Sequence, residues 1–564
     1  MFAFPDPKTK DPREWKKQRR LEVIPGILTW ATLIGMFLFS FLLPDWVAYF
    51  IITFDIYWIL RTIFIAYYSI DGYKKLRDGK KIDWWERCQN VKDPSKYRQL
   101  ISERILKMEE SLKNRVGMKR RDVKTLKGEL KRQKNYLQEI EKLEKIADQI
   151  LDWREIVHVV MLPTASEPAD VIEPSIEAIK EANFPNEQII ILLATEERED
   201  AKKRLEKVNY LKNKFAGVFR DFIVTIHKVK DDEMKAKGSN ATFAARELAL
   251  YLQEKGVDFK RVVFSNFDCD SVAHKEYFAA LTYEYITDPK RLQRSYQPLP
   301  MYHNNLWDTN AFVRVIVTGS SFWHIFQSTR LDGMVTFSSH SEPFDTLHKV
   351  DFWPVNMISE DSIIYWKCFT YYNGDYRVKP IYLPISLDAV LADTYWKTIV
   401  NQYKQKRRWA YGIENFPVIM RAIGPNKKIS FRQKFKTAFE MLEGHHSWAT
   451  SSLILAILGW LPLIFGGDEF NQQVLAHNLP IYTRYLMMLA MFGLAVSMSL
   501  SFLLLPPRPA KYSKWRNLYM LLQWILVPVI APILGSFPAI DSQTRILLGK
   551  YFGEFWVTEK MRKK

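Results

Sequence analysis

Two apolar stretches near the start of the chain, residues 24–43 and 47–69, constrain its fold most strongly. At a rise of about 1.5 Å per residue, a helix of either length crosses a hydrocarbon layer of about 30 Å. The intervening Pro44-Asp45-Trp46 predicts a tight outer turn. Basic clusters flank both ends of the pair, at residues 8–20 and 74–81. Because lysine and arginine stay on the cytosolic side, the pair is predicted to form a hairpin with both ends in the cytosol.

Two polar residues interrupt the second stretch. Asp55 and Arg61 are separated by about 240° of helix rotation, so they cannot pair with each other. Inside a membrane each therefore requires its own partner or water, although Arg61 could also extend to the inner interface.

More apolar segments lie near the end of the chain. Residues 448–465 and 485–505 predict a second hairpin, and residues 429–444 have the composition of an amphipathic helix at the membrane surface. Residues 518–540 are broken by prolines and a glycine, so they are expected either to cross once or to enter and return.

The charge balance indicates a soluble domain attached to these spans. Hydrophobic residues make up 48% of the chain, yet 26% are charged, and the formal net charge is +18. The basic clusters flank apolar stretches, which predicts contact with membrane lipids and argues against nucleic acid as a partner. The three cysteines form no Cys-x-x-Cys pair, so neither a disulfide framework nor a thiolate zinc site is indicated.

Between the two apolar regions the pattern changes twice. Residues 97–151 are densely charged with apolar positions at helical spacing, which predicts a helical hairpin resting on the next domain rather than a coiled coil. From residue 153 to about 416, apolar strands alternate with amphipathic helices, which predicts an α/β fold with a doubly wound, mainly parallel sheet. The strands are predicted at residues 156–162, 188–194, 222–226 and 261–267, and the helices at residues 171–182, 198–214 and 242–254.

An acidic pair follows the fourth predicted strand. Asp268 and Asp270 are separated by one residue, so in an extended loop both carboxylates can approach one ion. Hard oxygen ligands suit Mg²⁺ or Mn²⁺. Ligands of such sheets bind beyond the carboxyl ends of the strands, so this position favours a metal site over an ordinary surface turn.

A second acidic pair, Glu360 and Asp361, precedes an apolar run that predicts a buried helix. Asp361 is either a first-turn acid favoured by the helix dipole or a general base that takes a proton from a hydroxyl group. Further along, Arg408 could clamp a diphosphate and Trp409 could stack on a sugar ring. Lys237, which precedes a glycine, is another phosphate candidate or a solvated lysine in a turn.

In this order, Asp268-Cys269-Asp270, Glu360-Asp361 and Gln405 through Trp409 resemble the motifs of membrane-embedded family 2 glycosyltransferases, the group of cellulose, chitin and hyaluronan synthases. The resemblance implies a GT-A-like fold, a nucleotide-sugar donor and Mg²⁺ or Mn²⁺ on Asp268 and Asp270. It also implies catalytic roles for Asp361, as the base, and for Glu360 beside it, and acceptor contacts for Gln405 and Trp409. The tail motif that contains Thr558 and Lys560 is similar to the gating loop of bacterial cellulose synthases, which implies donor contact and a cytosolic tail.

Departures from that family affect substrate identity. The donor-base segments read Pro163-Thr164-Ala165-Ser166-Glu167 and Ala194-Thr195-Glu196-Glu197, so a UDP-sugar is expected while the base stays open. By the same resemblance, Thr164, Glu167, Glu196 and Arg408 are assigned to the donor, and Lys237 joins them as the phosphate candidate of the local sequence. The wall of the acceptor channel falls on Ser338, Ser339 and His340.

Together these patterns predict a multi-pass protein of the inner membrane with a cytosolic catalytic domain and cytosolic termini. Both termini inside require an even number of crossings, which favours a re-entrant or broken hairpin for residues 518–540. The expected acceptor is a growing glycan that is passed through the membrane. Two alternative functions are a single sugar transfer to a lipid or polyprenyl phosphate and a non-catalytic scaffold of an export complex. Homo-oligomers and export partners are possible. The predicted segments are 1–23 (basic tail), 24–70 (transmembrane hairpin), 71–151 (helical hairpin), 152–416 (catalytic domain), 417–447 (interfacial helices), 448–540 (transmembrane region) and 541–564 (interfacial helix and gating tail).

Overall fold

The computed structural model describes residues 2–114, 118–553 and 561. Two long apolar helices come first, α1 (Pro12–Leu42) and α2 (Pro44–Gly79). They are joined at Leu43, whose backbone leaves the helical region, and Pro44 opens α2 because the first helical position needs no N–H donor. The predicted hairpin is present, but the turn is tighter than expected, since Pro44, Asp45 and Trp46 all belong to α2.

Three helices connect this pair to the sheet: α3 (Trp84–Asn90), α4 (Pro94–Lys113) and α5 (Arg120–Glu144). The apolar faces of α4 and α5 meet through Ile101, Tyr136 and Ile140, all buried. Tyr283 of the sheet domain donates a hydrogen bond to Glu139 Oε1 over 2.7 Å. The charged helices therefore rest on the next domain, as their pattern predicts.

An eight-stranded sheet forms the centre of the domain. Its strands are β1 (Val157–Pro163), β2 (Ile189–Glu196), β3 (Asp221–His227), β4 (Val262–Asn266), β5 (Val272–Ala273), β6 (Arg294–Met301), β7 (His340–Pro343) and β8 (Arg377–Ser386). The order is β3-β2-β1-β4-β7-β6-β8-β5, with β3, β2, β1 and β4 parallel and β7 antiparallel to β4 and β6. The first four strands lie where the apolar runs predict them.

Helices cover both faces of the sheet: α6 (Ala169–Lys180), α7 (Ala201–Lys214), α8 (Lys237–Glu254), α9 (Tyr277–Ile286), α10 (Ala311–Ser328), α11 (Phe344–Lys349), α12 (Glu360–Tyr371), α13 (Tyr395–Ala410) and α14 (Asn415–Ile423). Successive side chains of a strand point to opposite faces, so Val160 and Leu162 belong to one core and Val159 and Met161 to another. Because both faces are buried, β1 reads as a continuous apolar run. The α/β prediction is confirmed.

The chain continues into a second apolar region: α15 (Phe431–Ala456), α16 (Leu461–Phe465), α17 (Gly467–Asn471), α18 (Val474–Leu504), α19 (Trp515–Leu522), α20 (Val527–Ala531) and α21 (Phe537–Leu547). The interfacial helix expected at residues 429–444 and the span expected from residue 448 are one helix, α15. No proline separates them, and Gly444 alone does not break the helix. The break comes at Ile457 instead, where the path turns by 51° before α16.

Within the described residues, four helical segments are long and apolar enough to cross a membrane: Pro12–Leu42, Pro44–Gly79, Val474–Leu504 and Trp515–Leu547. The last includes residues 518–540, expected to form a re-entrant or broken hairpin. It is a single run of α-, 3₁₀- and π-helical turns, with the π stretch at Pro532–Ser536. Arg61 of α2 has its own partner, as predicted, since it pairs with Glu443 of α15.

Candidate active site

Three charged side chains meet at the carboxyl edge of the sheet. Asp268 follows β4, Lys237 opens α8 and Asp361 lies in the first turn of α12. Lys237 Nζ donates to Asp268 Oδ1 over 2.8 Å and to Asp361 Oδ1 over 3.1 Å. The side chain of Lys237 is 9% exposed, whereas those of Asp268 and Asp361 are 29% and 25% exposed and face the edge. One ammonium thus holds together the first and second acidic motifs of the sequence.

The start of α8 explains the position of Lys237. Ser239 and Asn240, polar residues after it, are buried; Ser239 Oγ donates to Ala236 O over 2.8 Å and Asn240 Nδ2 donates to Ala194 O over 2.9 Å. The Ser239 bond closes the first turn of α8, and the Asn240 bond fastens that turn to β2. The helix begins at Lys237, ahead of the predicted residue 242. A Cβ at Gly238 would lie 3.0 Å from Glu360 Cβ and 3.1 Å from Pro354 O, so only glycine lets α8 approach α12 this closely.

The charges in the cluster act on one another. Burial alone would lower the pKa of Lys237, but Asp268, Asp361 and Glu360 together raise it above its ordinary value. Burial works to raise the pKa of Asp361, but Lys237 and His340 outweigh it and hold that carboxyl below its usual range. Burial and the charge of Asp361 raise the pKa of Glu360 to about 8. At neutral pH, Asp361 is therefore an ionised carboxylate, and Glu360 carries a proton.

Asp270, the second residue of the first motif, is fully buried. Its Oδ2 accepts a hydrogen bond from Asp388 N over 2.7 Å, and its carbonyl accepts one from Asn304 Nδ2 over 3.0 Å. Asp268 thus faces the edge of the sheet, while Asp270 lies beneath it and fixes the loop to the segment after β8.

The described residues contain no group of three or more acidic, histidine or cysteine side chains able to hold a metal ion on their own. Mg²⁺ and its relatives are commonly bound by one or two carboxylates together with substrate phosphates and water. The pair Asp268 and Asp270 fits such a shared site and does not fit a site made by protein alone.

Ser338, Ser339 and His340, predicted to line the acceptor channel, lie between these motifs. Ser338 Oγ donates to Asp268 Oδ2 over 2.5 Å, and Ser339 adopts a φ of 64°, a left-handed conformation that turns the chain into β7. Gln297 Oε1 accepts from Phe337 N over 2.7 Å and keeps the turn in place. His340 is fully buried, so it faces Asp361 from inside the domain and does not line an open channel.

Helix α13 brings the third motif to the same place. Burial lowers the pKa of Arg408, whereas Glu360, Asp268 and Asp361 act to raise it, so its guanidinium lies near all three acids. Gln405 is buried and accepts from Gln402 Nε2 over 3.2 Å. The Trp409 ring packs 6.3 Å from the ring of Tyr302, measured between centroids. Arg408 thus joins the acidic cluster, and Trp409 packs beside Tyr302 at the next position of α13.

The residues predicted to contact the donor base form a separate group farther along the edge. Glu167 Oε2 accepts from Thr164 Oγ1 over 3.1 Å and from the Ala165 backbone N–H over 2.8 Å, so it closes its own turn. Glu196, at the end of β2, is buried and pairs with Arg198. Burial raises the pKa of Glu196 despite this pairing. The Glu167 turn is therefore held by hydrogen bonds among its own residues, and the Glu196 turn by an ion pair among its own residues.

A lysine that the sequence pattern did not single out joins these turns. Lys207 of α7 is buried and donates to Thr164 Oγ1 over 3.0 Å and to Glu199 Oε1 over 2.6 Å. Its position within a charged helix gave no signal of this role.

Thr558 and Lys560 lie outside the described residues. The backbone of Met561 is described: its N–H donates to Leu391 O over 3.1 Å, and its carbonyl accepts from Asn305 Nδ2 over 3.3 Å. Asn305 Oδ1 in turn accepts from Ala389 N, next to Asp388, over 2.7 Å. The chain therefore returns at Met561 to the loop that anchors Asp270.

Two further acids beside the site, the buried Glu342 and the half-buried Glu414, were missed. Glu342 lies on β7 beside His340, and Glu414 accepts hydrogen bonds from the backbone N–H groups of Ile358 and Ser359, both over 2.9 Å. Glu414 thereby holds the residues that precede Glu360. The alternation of His340 and Glu342 on one face of a strand was the available signal for Glu342, but β7 is only four residues long and was not predicted.

Comparisons with known protein families and with curated proteins return no match. Solved structures do match. They include the mannosyltransferase PcManGT from Pyrobaculum calidifontis in complex with GDP-Man and Mn²⁺ (13% identity, 67% of this chain and 86% of that chain, TM-score 0.35). S. aureus TarS 1-349 in complex with UDP-GlcNAc matches at 11% identity (70% and 93%, TM-score 0.32), and GalNAc-T7 with UDP, GalNAc and Mn²⁺ at 9% (51% and 57%, TM-score 0.30). Such values assign no role to any residue.

Proposed function

We propose that this chain is an inverting, metal-dependent glycosyltransferase that transfers a sugar from a nucleotide-sugar donor to a glycan at the inner face of a membrane. The observation that carries the proposal is the contact of Lys237 with both Asp268 and Asp361, beside Arg408. This contact supports the proposal, because cations suited to a diphosphate lie next to a carboxylate suited to take a hydroxyl proton.

The donor diphosphate would bind at Lys237 and Arg408, with Mg²⁺ or Mn²⁺ held by Asp268 and Asp270. When bound, the metal would neutralise the charge that develops on the leaving phosphates. Asp268 is the accessible ligand, since Asp270 already accepts a hydrogen bond from Asp388 N. Arg408 can bind phosphate oxygens in a bidentate manner, while Lys237 supplies a point charge.

Asp361 would remove the proton from the acceptor hydroxyl. Its side chain is 25% exposed, so a hydroxyl group can reach it, and Lys237 and His340 keep it ionised at neutral pH. Glu360 is protonated and buried and therefore does not compete as a second base. A single base and a single displacement at the sugar carbon invert its configuration.

Growth of a glycan and its passage through the membrane form the finer part of the proposal. Trp409 and Tyr302 offer aromatic faces beside the acid cluster, where a sugar ring can stack. Trp448 of α15 continues this aromatic surface toward the apolar helices, since Lys406 Nζ lies 4.9 Å from the Trp409 ring centroid and 4.7 Å from that of Trp448.

Lys406 also favours a second candidate, single transfer to a lipid or polyprenyl phosphate. Burial lowers its pKa to about 8. Among the described residues, its ammonium forms no ion pair with a carboxylate and lies between two indole rings. A phosphate on the acceptor would supply the missing negative charge next to Trp409.

The test is a panel of nucleotide sugars supplied to the purified protein in lipid nanodiscs with Mg²⁺ or Mn²⁺, scoring nucleotide release and product length together. Release that requires the metal, with long products, is expected from the first candidate. Single-sugar products made only with polyprenyl phosphate would indicate the second. Absence of release with every donor and either acceptor would contradict both.

A further inference from the structure

His340 and Glu342 form a buried pair behind Asp361. They lie two residues apart on β7, so their side chains point to the same face of the sheet. His340 Nδ1 is 2.5 Å from Glu342 Oε1, and His340 Nε2 is 3.4 Å from Asp361 Oδ1. Both His340 and Glu342 are 0% exposed. One imidazole ring thus separates two carboxylates.

The burial of Glu342 requires a cation. An ionised carboxylate without a partner in a protein interior is strongly unfavourable. Within the described part of the chain, Glu342 forms an ion pair with His340 alone, and its other electrostatic neighbours include the neutral side chains of Tyr277, Cys368 and Tyr376. A doubly protonated His340 balances Glu342 on one side and Asp361 on the other. Burial alone would lower the pKa of His340, but the two carboxylates raise it to about 9.

We infer that Glu342 is a positioning residue for the base: it holds His340 as an imidazolium, in one ring orientation, with its charged Nε2 edge 3.4 Å from Asp361 Oδ1. The inference rests on the proposed function for the role of Asp361, but not for the protonation of His340. Since Lys237 also contacts Oδ1, the acceptor hydroxyl would meet Oδ2.

The pair has a role that Lys237 cannot fill. When a donor diphosphate binds, its phosphates compete with Asp361 for the Lys237 ammonium. His340 is fully buried and cannot be drawn away by the donor. It therefore keeps Asp361 ionised and oriented throughout the reaction, whereas Lys237 is shared between the base and the donor.

The charges that act on this pair come from five elements. They are His340 and Glu342 on β7, Glu360 and Asp361 on α12, Lys237 on α8, Asp268 after β4 and Arg408 on α13. In Glu342→Gln, burial of His340 is no longer offset by Glu342, so the imidazole becomes neutral. Asp361 then loses one of its two cations and binds a proton at a higher pH.

The first test needs no substrate. Nitrogen NMR of the full chain with labelled histidine separates imidazole from imidazolium among the ten histidines. At pH 8, where an exposed histidine is neutral, one imidazolium signal is expected, and it should disappear in His340→Gln and in Glu342→Gln. A wild-type spectrum without any imidazolium at pH 8 would overturn the inference even if neither variant folds.

The second test is kinetic and uses two matched controls. Glu276→Gln removes a buried carboxylate that accepts from Trp84 N over 3.1 Å, and His158→Gln removes a buried histidine of β1 that contacts Thr282. Glu342→Gln is expected to lower kcat by about tenfold or more, a part of the roughly 10²–10⁴-fold supplied by a positioned base. The donor KM should stay within about threefold, and the acidic limb of the pH profile should move to higher pH.

A purely structural role predicts a different result. Glu342→Gln would then resemble the two controls, with an unchanged pH profile, and the inference would be wrong. If the wild-type protein transfers no sugar in the donor panel, the proposed function fails, while the NMR measurement still decides the state of His340.

Discussion

At the residue scale, several acidic side chains of the site share one cation. Asp268, Glu360 and Asp361 all lie within 4 Å of Lys237 Nζ, at 2.8, 3.9 and 3.1 Å. Such a concentration of acids is stable only because one acid is protonated and others are paired with buried cations. The same arrangement makes the site responsive to a phosphate, which can replace a carboxylate as the partner of Lys237.

Asp361→Asn should reduce sugar transfer by about 100-fold or more, because an amide cannot take the acceptor proton. Donor binding should change little, since Asp268, Lys237 and Arg408 remain. The measurement combines turnover with calorimetric binding of the nucleotide in Mg²⁺. Asp375→Asn is the matched control, because Asp375 is 54% exposed and pairs with Lys290 at the surface. Turnover near that of the control would remove Asp361 from the role of base.

Glu360 gives a prediction about pH. Burial and the charge of Asp361 raise the pKa of the Glu360 carboxyl to about 8, so the carboxyl is protonated at neutral pH and ionises in mildly basic solution. Ionisation adds a negative charge beside Asp361 and near the donor phosphates, so turnover should fall as the pH rises through about 8. Glu360→Gln mimics the protonated form, so its turnover at neutral pH should be kept and the decrease of turnover through about pH 8 should be absent. A decrease of turnover near pH 9, where His340 deprotonates, should remain. An unchanged profile in Glu360→Gln would contradict the assignment.

At the element scale, the close approach of α8 and α12 places Lys237 beside Asp361, which are the proposed phosphate-binding lysine and the proposed base. Gly238→Ala would bring a Cβ to 3.0 Å from Glu360 Cβ and 3.1 Å from the carbonyl of Pro354. The helices must then separate, so turnover should fall at least about tenfold while the fold persists, by analogy with the cost of small misplacements at reacting groups. Turnover and circular dichroism measure the two effects.

Gly128→Ala serves as its control. Gly128 is an exposed residue of α5 with no atom within 4 Å of an added Cβ. Alanine there should leave turnover unchanged and stabilise the helix by about 0.5–1 kcal/mol. Equal turnover in the two variants would show that the spacing of α8 and α12 does not matter.

The sequence predicts those elements whose pattern is visible within a short stretch of neighbouring residues. Strands β1 to β4 are continuous apolar runs, and the acidic pairs follow them or open a helix. The start of α8 could not be predicted, because Asn240 is held by the distant carbonyl of Ala194. The pairing of Glu342 with His340 was missed for a related reason: a four-residue strand is too short to show an alternation.

At the scale of the whole molecule, contacts give the direction of each apolar helix. Helix α2 begins after the turn at Leu43, and α18 runs alongside it, since Ile51 shares a core with Leu479 and Leu76 packs near Leu504. The two helices therefore run in the same direction. Helix α15 runs the opposite way, from a contact of Glu440 with Arg330 of the sheet domain to a contact of Ile454 with Ile51.

The segment Trp515–Leu547 follows another path. Just before its start, Tyr512 OH donates to Asp308 of the sheet domain. Along its length, Gln523 Oε1 accepts from Arg314 Nε over 2.7 Å, and Asp541 pairs with Arg407 over 3.0 Å. At its end, Arg19 of α1 donates to Leu547 O. Both ends and several intermediate residues thus contact groups expected at the inner side.

We therefore propose four crossings, by α1, α2, the bent pair of α15 and α16, and α18, with Trp515–Leu547 beginning and ending at the inner side. Cysteine labelling tests this order in sealed cells, because all three native cysteines are buried and should react little. A cysteine at exposed Gln472, between α17 and α18, should react with an impermeant maleimide from outside. Cysteines at Lys514 and at Leu548, which is 59% exposed, should react only after the membrane is opened. If Lys514 and Leu548 were labelled from opposite sides, Trp515–Leu547 would be a fifth crossing, and the catalytic domain and the residues after α21 could not share one compartment.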